Sequence, residues 1–103
     1  MQLIDAHAHI FPDALAAKAS VSVGNWYNIL PHTEATTHNL LENERVAGVS
    51  RCLVCSPALK PHNVPTINTY ISAECQQHKE FVGFGTMHRD FEDYEEELDR
   101  VVS

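Results

Sequence analysis

Hydrophobic and polar residues alternate along the first segment of the chain, from Leu3 to Ile10. In a β-strand, such alternation places successive side chains on opposite faces. One face is apolar and suits packing against helices, with Ile4, Ala6, Ala8 and Ile10. The other face begins with Leu3 and becomes polar toward the carboxyl end of the strand, with Asp5, His7 and His9. The pattern therefore predicts an N-terminal strand that ends in two histidines.

The segment after this strand predicts a short helix and then a long loop. Asp13 is expected to cap a helix over residues 14–18, which are rich in alanine. From Ser20 to Thr33 the periodicity is lost, so this stretch is predicted to be a loop. In a barrel, a loop that follows a strand lies on the active-site face. Trp26 and Tyr27 would then cover the metal or touch substrate, and the alternative is that they pack on the outside of the barrel.

The remaining pattern predicts two more strands and three more helices. They are strands over 49–55 and 81–86, and helices from Thr36 or Thr37 to 47, from Val64 or Pro65 to His78, and from Asp90 onward. The last helix carries an apolar stripe between solvated acids, with Phe91, Tyr94, Leu98, Val101 and Val102. Strands that alternate with helices predict an α/β fold with a parallel sheet and right-handed crossovers.

The two histidines are the main candidates for chemistry. Imidazoles two residues apart on a strand project side by side, and imidazole nitrogen suits Zn²⁺ and other divalent ions. His7 and His9 are therefore predicted to bind one divalent metal, with Zn²⁺ favoured. Asp5 lies on the same face and is expected to hydrogen-bond the free ring N–H of a ligand. The alternative is a strand end that is polar by chance.

Two stretches resemble a known family. Asp5-Ala6-His7-Ala8-His9 at the end of a first strand is similar to the opening of the amidohydrolase superfamily, in its amidohydrolase-related branch. That branch includes the aminocarboxymuconate-semialdehyde decarboxylase-like enzymes. Phe81-Val82-Gly83-Phe84-Gly85-Thr86-Met87-His88, followed by an acidic segment, is similar to the third strand of the branch.

The resemblance implies a TIM-type (β/α)8 barrel, of which this chain would be the N-terminal part. Residues 1–103 would form about three β/α units, truncated after the third strand and its following helix, because a complete barrel needs about 250 residues. In the family a divalent metal activates water for attack on a carbonyl-type carbon of a small-molecule substrate. The first two metal ligands of the family match His7 and His9, and its later ligands and proton-transfer residues match nothing here.

Composition narrows the possible partners and the compartment. The net charge is −7, and seven of the fourteen acids lie in residues 90–99. This acidity argues against nucleic-acid binding, which needs a basic surface. The sequence has no apolar run long enough for a membrane span, and the early first strand leaves no room for a signal peptide. A cytoplasmic protein with reduced cysteines is therefore expected.

Other polar residues give weaker predictions. Cys52 and Cys55 are three apart on a strand, so their sulfurs should diverge, and both are predicted to be small buried apolar side chains. His88 follows the third strand and is a candidate for contact with metal or substrate, against the alternative of a surface histidine. A complete site built from His7, His9 and His88 alone is predicted to fail.

Three functions follow from these observations. The first is the N-terminal segment of a metal-dependent hydrolase, with no catalytic residue of its own and inactive alone. The second is a carboxy-lyase of the same superfamily. The third is a non-catalytic remnant or interaction module, whose apolar edges need a partner: the missing barrel half or a second copy of the chain.

Overall fold

The computed structural model of the protein describes residues 2–29 and 33–103. Within these residues, three strands form a parallel sheet in the order β1-β2-β3. The strands are β1 (Leu3–His9), β2 (Val49–Cys55) and β3 (Phe81–Gly83). The predicted α/β class and parallel sheet are confirmed, whereas closure into a barrel remains a prediction.

Helices connect the strands in the described part of the chain. They are α1 (Asp13–Tyr27), α2 (Thr37–Ala47), α3 (Val64–Gln77), which follows a 3₁₀ turn at Pro61–Asn63, and α4 (Tyr94–Val102). Every helix within these residues is too short or too polar to cross a membrane.

Helix α1 corrects the prediction of a loop from Ser20 onward. The helix continues to Tyr27 and ends at Asn28, whose φ of 56° is left-handed. Its buried residues are small and follow helical spacing: Ala16, Ala19, Ser20 and Gly24. Small side chains give a weak hydrophobic signal, although they allow close packing. Asp13 lies within the first turn and does not cap the helix. Of the predicted loop, residues 30–32 lie outside the described residues.

Helix α2 and strand β2 lie where the sequence predicts them. The Thr36 hydroxyl accepts a hydrogen bond from the backbone N–H of Asn39, at 3.1 Å. Gly48 ends the helix in the left-handed region, with φ of 79°. Both signals are local: a capping hydroxyl satisfies a free N–H group, and glycine takes positive φ without strain.

The prediction that β1 packs one apolar face against helices is correct for only half of that face. Ala8 and Ile10 are buried, whereas Ile4 is 57% exposed and Ala6 is also exposed. The reason is that β1 lies at the edge of the sheet, and its ladder with β2 is irregular between Leu3 and Ala8. The core therefore covers the carboxyl end of this strand.

Strand β3 is shorter than predicted, ending at Gly83 where the sequence favours 86. The Phe84 N–H still donates to the Val54 carbonyl at 3.0 Å, and beyond it the backbone of Thr86 pairs with the side chain of Asn68 from α3 and not with a strand. Asn68 Oδ1 accepts from the Thr86 N–H at 2.7 Å, and its Nδ2 donates to the Thr86 carbonyl at 3.1 Å. A backbone paired in this way is no longer free for the sheet.

Helix α4 also differs from its prediction. It begins at Tyr94 and not directly after Asp90, because a turn precedes it in which the Phe91 N–H donates to the His88 carbonyl. The predicted apolar stripe is largely exposed, and the buried residue of the helix is Glu97, at 4% exposure. Glu97 accepts hydrogen bonds from Arg100 and from Asn68. This polar network, which periodicity does not reveal, sets the rotation of the helix.

The Glu97 network gives a pH-dependent stability. Hydrogen bonds from Arg100, and then from Asn68, hold the pKa of Glu97 below its ordinary value. A carboxyl with a lowered folded pKa stabilises the fold above its unfolded pKa of about 4.3, and this contribution is lost as the pH falls through the folded pKa. We expect wild type to be more stable than Glu97→Gln at pH 7 and the difference to shrink below about pH 4. Urea unfolding at pH 7 and pH 3.5 measures both values, and a difference that stays constant would contradict the assignment.

Candidate metal centre

His7 and His9 lie side by side at the carboxyl end of β1. Their Nε2 atoms are 3.1 Å apart, and the ring centroids are 4.8 Å apart with an interplanar angle of 62°. Both side chains are exposed. The structure thus brings the two imidazoles together, as strand alternation predicts, and metal binding by them stays a prediction.

The structure adds a residue that the sequence prediction did not include. Cys55 ends β2 and lies opposite His9 in the parallel ladder. Its Sγ is 3.6 Å from His9 Nδ1. One ligand atom from each of His7, His9 and Cys55 can be chosen so that all three atoms lie within 4.8 Å of one another. No other group of three His, Cys, Asp or Glu side chains of this kind occurs in the described ranges.

The sequence contains a signal that could have revealed Cys55. His9 is the last residue of β1 and Cys55 the last of β2, and neighbouring parallel strands bring their carboxyl ends together. Cys52 is fully buried and Cys55 is half-buried, and the prediction that the two do not act as a pair stays a prediction. The prediction that Cys55 is a buried apolar side chain is wrong.

Buried backbone contacts hold the two strand ends together. The N–H of Ile10 donates to the Cys55 carbonyl at 3.2 Å, and the Ser56 hydroxyl donates to the Ile10 carbonyl. Ile10 and Ser56 are almost completely buried. The Phe11 N–H donates to the Ala35 carbonyl at 2.8 Å, which ties the same end to the start of α2. The Cα atoms of His9 and Cys55 are therefore fixed by well-packed neighbours.

Electrostatics at the site favour a neutral imidazole and a protonated thiol. Partial burial, and then the neighbouring His7, lower the pKa of His9. Burial raises the pKa of the Cys55 thiol. A metal binds the neutral imidazole directly, whereas a thiol must first lose its proton.

The two imidazoles fit a zinc ion by distance. Two Zn–N bonds of about 2.1 Å at a tetrahedral angle separate the nitrogens by roughly 3.4 Å. The Nε2 separation of 3.1 Å is close to this value. Small side-chain rotations are enough to adjust the difference, because both rings are exposed.

Asp5 contacts the backbone of the pair. Its Oδ1 accepts from the N–H of His7 at 3.0 Å. Its carboxyl also adjoins Glu44, a buried residue of α2 whose pKa is raised by burial and then by Asp5. The predicted hydrogen bond from a ring N–H to the Asp5 carboxylate stays a prediction, and the structure supports a role for Asp5 in holding the strand at His7.

The other residues predicted for the site are not part of the cluster formed by His7, His9 and Cys55. His88 Nδ1 accepts from the Asp90 N–H at 3.1 Å, so it shapes the turn before α4. Trp26 is 85% exposed at the end of α1, and Tyr27 beside it is also exposed. Packing does not cover Trp26 in the described structure. Its ring and Leu59 border an open groove of about 370 Å³.

Comparisons with protein-family models, with curated proteins and with solved structures find no match for this chain. The resemblance to the amidohydrolase superfamily therefore depends on the two sequence stretches described above, at the first and third strands.

Proposed function

We propose that this chain carries the first metal-binding strand of a metal-dependent hydrolase of amidohydrolase type. The observation that supports the proposal most is the 3.1 Å separation of the His7 and His9 Nε2 atoms at the carboxyl end of a parallel strand. Active sites of parallel α/β folds are built at this end of the sheet.

The residues of this chain have defined tasks in such an enzyme. A divalent metal supplies an activated water for attack on a carbonyl-type carbon. His7 and His9 hold two positions around the ion as neutral ligands. The contacts of Ile10 and Ser56 keep the strand ends in register, and the Asp5 carboxylate holds the backbone at His7. Remaining positions around the ion are left for other ligands and for water.

A groove lined by residues that closely follow β1 and β2 is the proposed place for a small-molecule substrate. It measures about 370 Å³ and lies between α1 and the loop that follows β2. Phe11 and Pro57, which come two residues after the ends of β1 and β2, both line it. Lys18 and Lys60 lie at its surface and favour a substrate that carries an anionic group.

Exposed apolar residues at the amino end of β1 favour a second candidate function, a non-catalytic interaction module. Leu3 and Ile4 are both exposed on a strand that forms the edge of the sheet. An exposed apolar edge strand is able to pair with another chain. As an interaction module, the protein would bind its partner at the amino end of β1. As a hydrolase, it would bind metal at the carboxyl end of the same strand.

The deciding experiment is metal analysis and hydrolase screening of protein produced from its complete reading frame. Carboxylic esters, amides and lactones with an anionic group are the substrates. We expect bound divalent metal and hydrolysis in wild type, loss of both in His7→Ala, and retention of both in His38→Ala, which changes an exposed histidine of α2. Metal-free wild-type protein without hydrolysis would contradict the hydrolase and favour the interaction module.

A further inference from the structure

We propose that Cys55 is a third metal ligand, so that His7, His9 and Cys55 form a site selective for thiophilic divalent ions. Zn²⁺, Co²⁺ and Cd²⁺ belong to this class. The inference rests on the metal-binding pair of the proposed function and adds to it a ligand from a second strand. It also names the class of metal that the site accepts.

The sheet itself places the thiol at the site. Cys55 is the ladder partner of His9, and the Ile10 N–H bonded to the Cys55 carbonyl fixes their relative position. Zn–N and Zn–S bonds of about 2.1 and 2.3 Å predict a tetrahedral N···S separation of roughly 3.6 Å. Cys55 Sγ lies at this distance, 3.6 Å, from His9 Nδ1, whereas the contact with His7 is made by His9 Nε2. One imidazole binds an ion through only one of these nitrogens, so the evidence for a common site is that one ligand atom from each of the three residues can be chosen with all three within 4.8 Å of one another. Binding one ion requires the side chains to rotate so that a single His9 nitrogen faces both His7 and Cys55.

The present orientation of the thiol does not oppose this role. Besides His9, Cys55 Sγ lies near the Ala8 carbonyl, at 3.8 Å. A contact from sulfur at this distance is weak and is easily exchanged for a bond to a metal. The residue is half-buried and adjoins the exposed His9, so an ion can reach it from solvent.

A thiolate changes which metals the site selects. Two neutral imidazoles leave the full charge of a divalent ion uncompensated, whereas a thiolate offsets one unit of it. Binding forms one metal–sulfur bond and releases the thiol proton to solvent, with no change in oxidation state. Thiolate ligands favour Zn²⁺ and its soft relatives, and Mg²⁺ and Ca²⁺ prefer oxygen ligands. Three protein ligands leave a fourth position for water, as in catalytic zinc sites.

The chain provides matched controls for a test on this cysteine. Cys75 on α3 is also half-buried, and it lies beside the glycine backbone of β3. Cys52 is fully buried, and burial followed by the nearby Glu44 and Asp5 carboxyls raises its pKa to about 12. Only Cys55 of the three has its sulfur beside a histidine of the pair.

The first experiment is a Co²⁺ titration of wild type, Cys55→Ser, Cys75→Ser and His9→Ala, followed by ultraviolet and visible absorption. We expect a thiolate-to-cobalt charge-transfer band in wild type and in Cys75→Ser, and no such band in Cys55→Ser. Competition with a chromophoric chelator should show Zn²⁺ binding at least about 10-fold weaker in Cys55→Ser, because even groups that only orient a ligand contribute 10–100-fold.

A second measurement needs no variant and so does not depend on the folding of Cys55→Ser. Wild type is alkylated with iodoacetamide with and without Zn²⁺, and the modified cysteines are identified by mass spectrometry. We expect Zn²⁺ to slow alkylation of Cys55 and to leave Cys75 unchanged. Metal binding that needs His9 but gives no charge-transfer band and no protection of Cys55 would overturn the inference and leave the histidine pair intact. Absence of metal binding in wild type would overturn both.

Discussion

Replacing His9 by alanine is expected to weaken Zn²⁺ binding by at least about 100-fold, since removing only an orienting partner already reduces affinity by 10–100-fold. His9 has the central position in the site. Its Nε2 is 3.1 Å from His7 Nε2, and its Nδ1 is 3.6 Å from Cys55 Sγ. Its loss leaves His7 and Cys55 without the side chain that lies between them.

The loss should be specific to metal binding, because the His9 side chain is exposed and contributes little to the core. Competition with a chromophoric chelator gives the Zn²⁺ affinity, and far-UV circular dichroism checks the fold. His38→Ala removes an exposed histidine from α2 and serves as the control, with wild-type affinity expected. Equal affinities for wild type and His9→Ala would exclude the site.

The second large effect concerns stability. Ile10→Ala is expected to lower the free energy of unfolding by about 2–5 kcal/mol, the usual loss for a large buried aliphatic side chain cut to alanine. Ile10 is 0% exposed and lies directly after β1, in a core formed with Phe11, Val54 and Ile67. A domain of this size has only about 5–15 kcal/mol of stability. The variant should therefore be partly unfolded well below the wild-type midpoint.

Ile4→Ala provides the matched control for this prediction. It makes the same chemical change on the same segment, but Ile4 is largely exposed at the edge of the sheet. Its expected effect is within about 0.5 kcal/mol. Urea unfolding of both variants, followed by circular dichroism, gives the comparison. Equal losses for the two variants would mean that the core does not lie at the carboxyl end of β1.

The elements that the sequence predicts well are those with local signals. Strand β2 has an unbroken apolar run, and α2 lies between a capping Thr36 and a terminating Gly48. Each of these signals acts within a few residues, so no knowledge of the tertiary fold is needed. The His7 and His9 pair belongs to the same class, because alternation along one strand places both rings on one side.

The elements that the sequence predicts poorly depend on distant partners. Asn68 binds the backbone of Thr86 just beyond β3, and it also donates to the buried Glu97 of α4. Neither effect can be read from the periodicity of β3 or α4. Helix α1 is missed for another reason: its buried face is built from alanine, serine and glycine, whose hydrophobic signal is weak.

Within the candidate site, Cys55 is also a residue whose role depends on a partner distant in the chain. Its position beside His9 follows from the register of two strands that are far apart in the chain. Strand alternation describes the faces of one strand, and it does not describe which residue of the next strand lies opposite. The sequence therefore predicts the two imidazoles and not the sulfur beside them.

A zinc site at His7 and His9 is tested most directly by a crystal structure of the protein soaked with Zn²⁺, with the ion located by anomalous scattering. We expect an anomalous peak about 2.0–2.1 Å from one ring nitrogen of His7 and one of His9. Imidazoles that point to opposite sides of β1, or a zinc ion bound only at other residues, would contradict it.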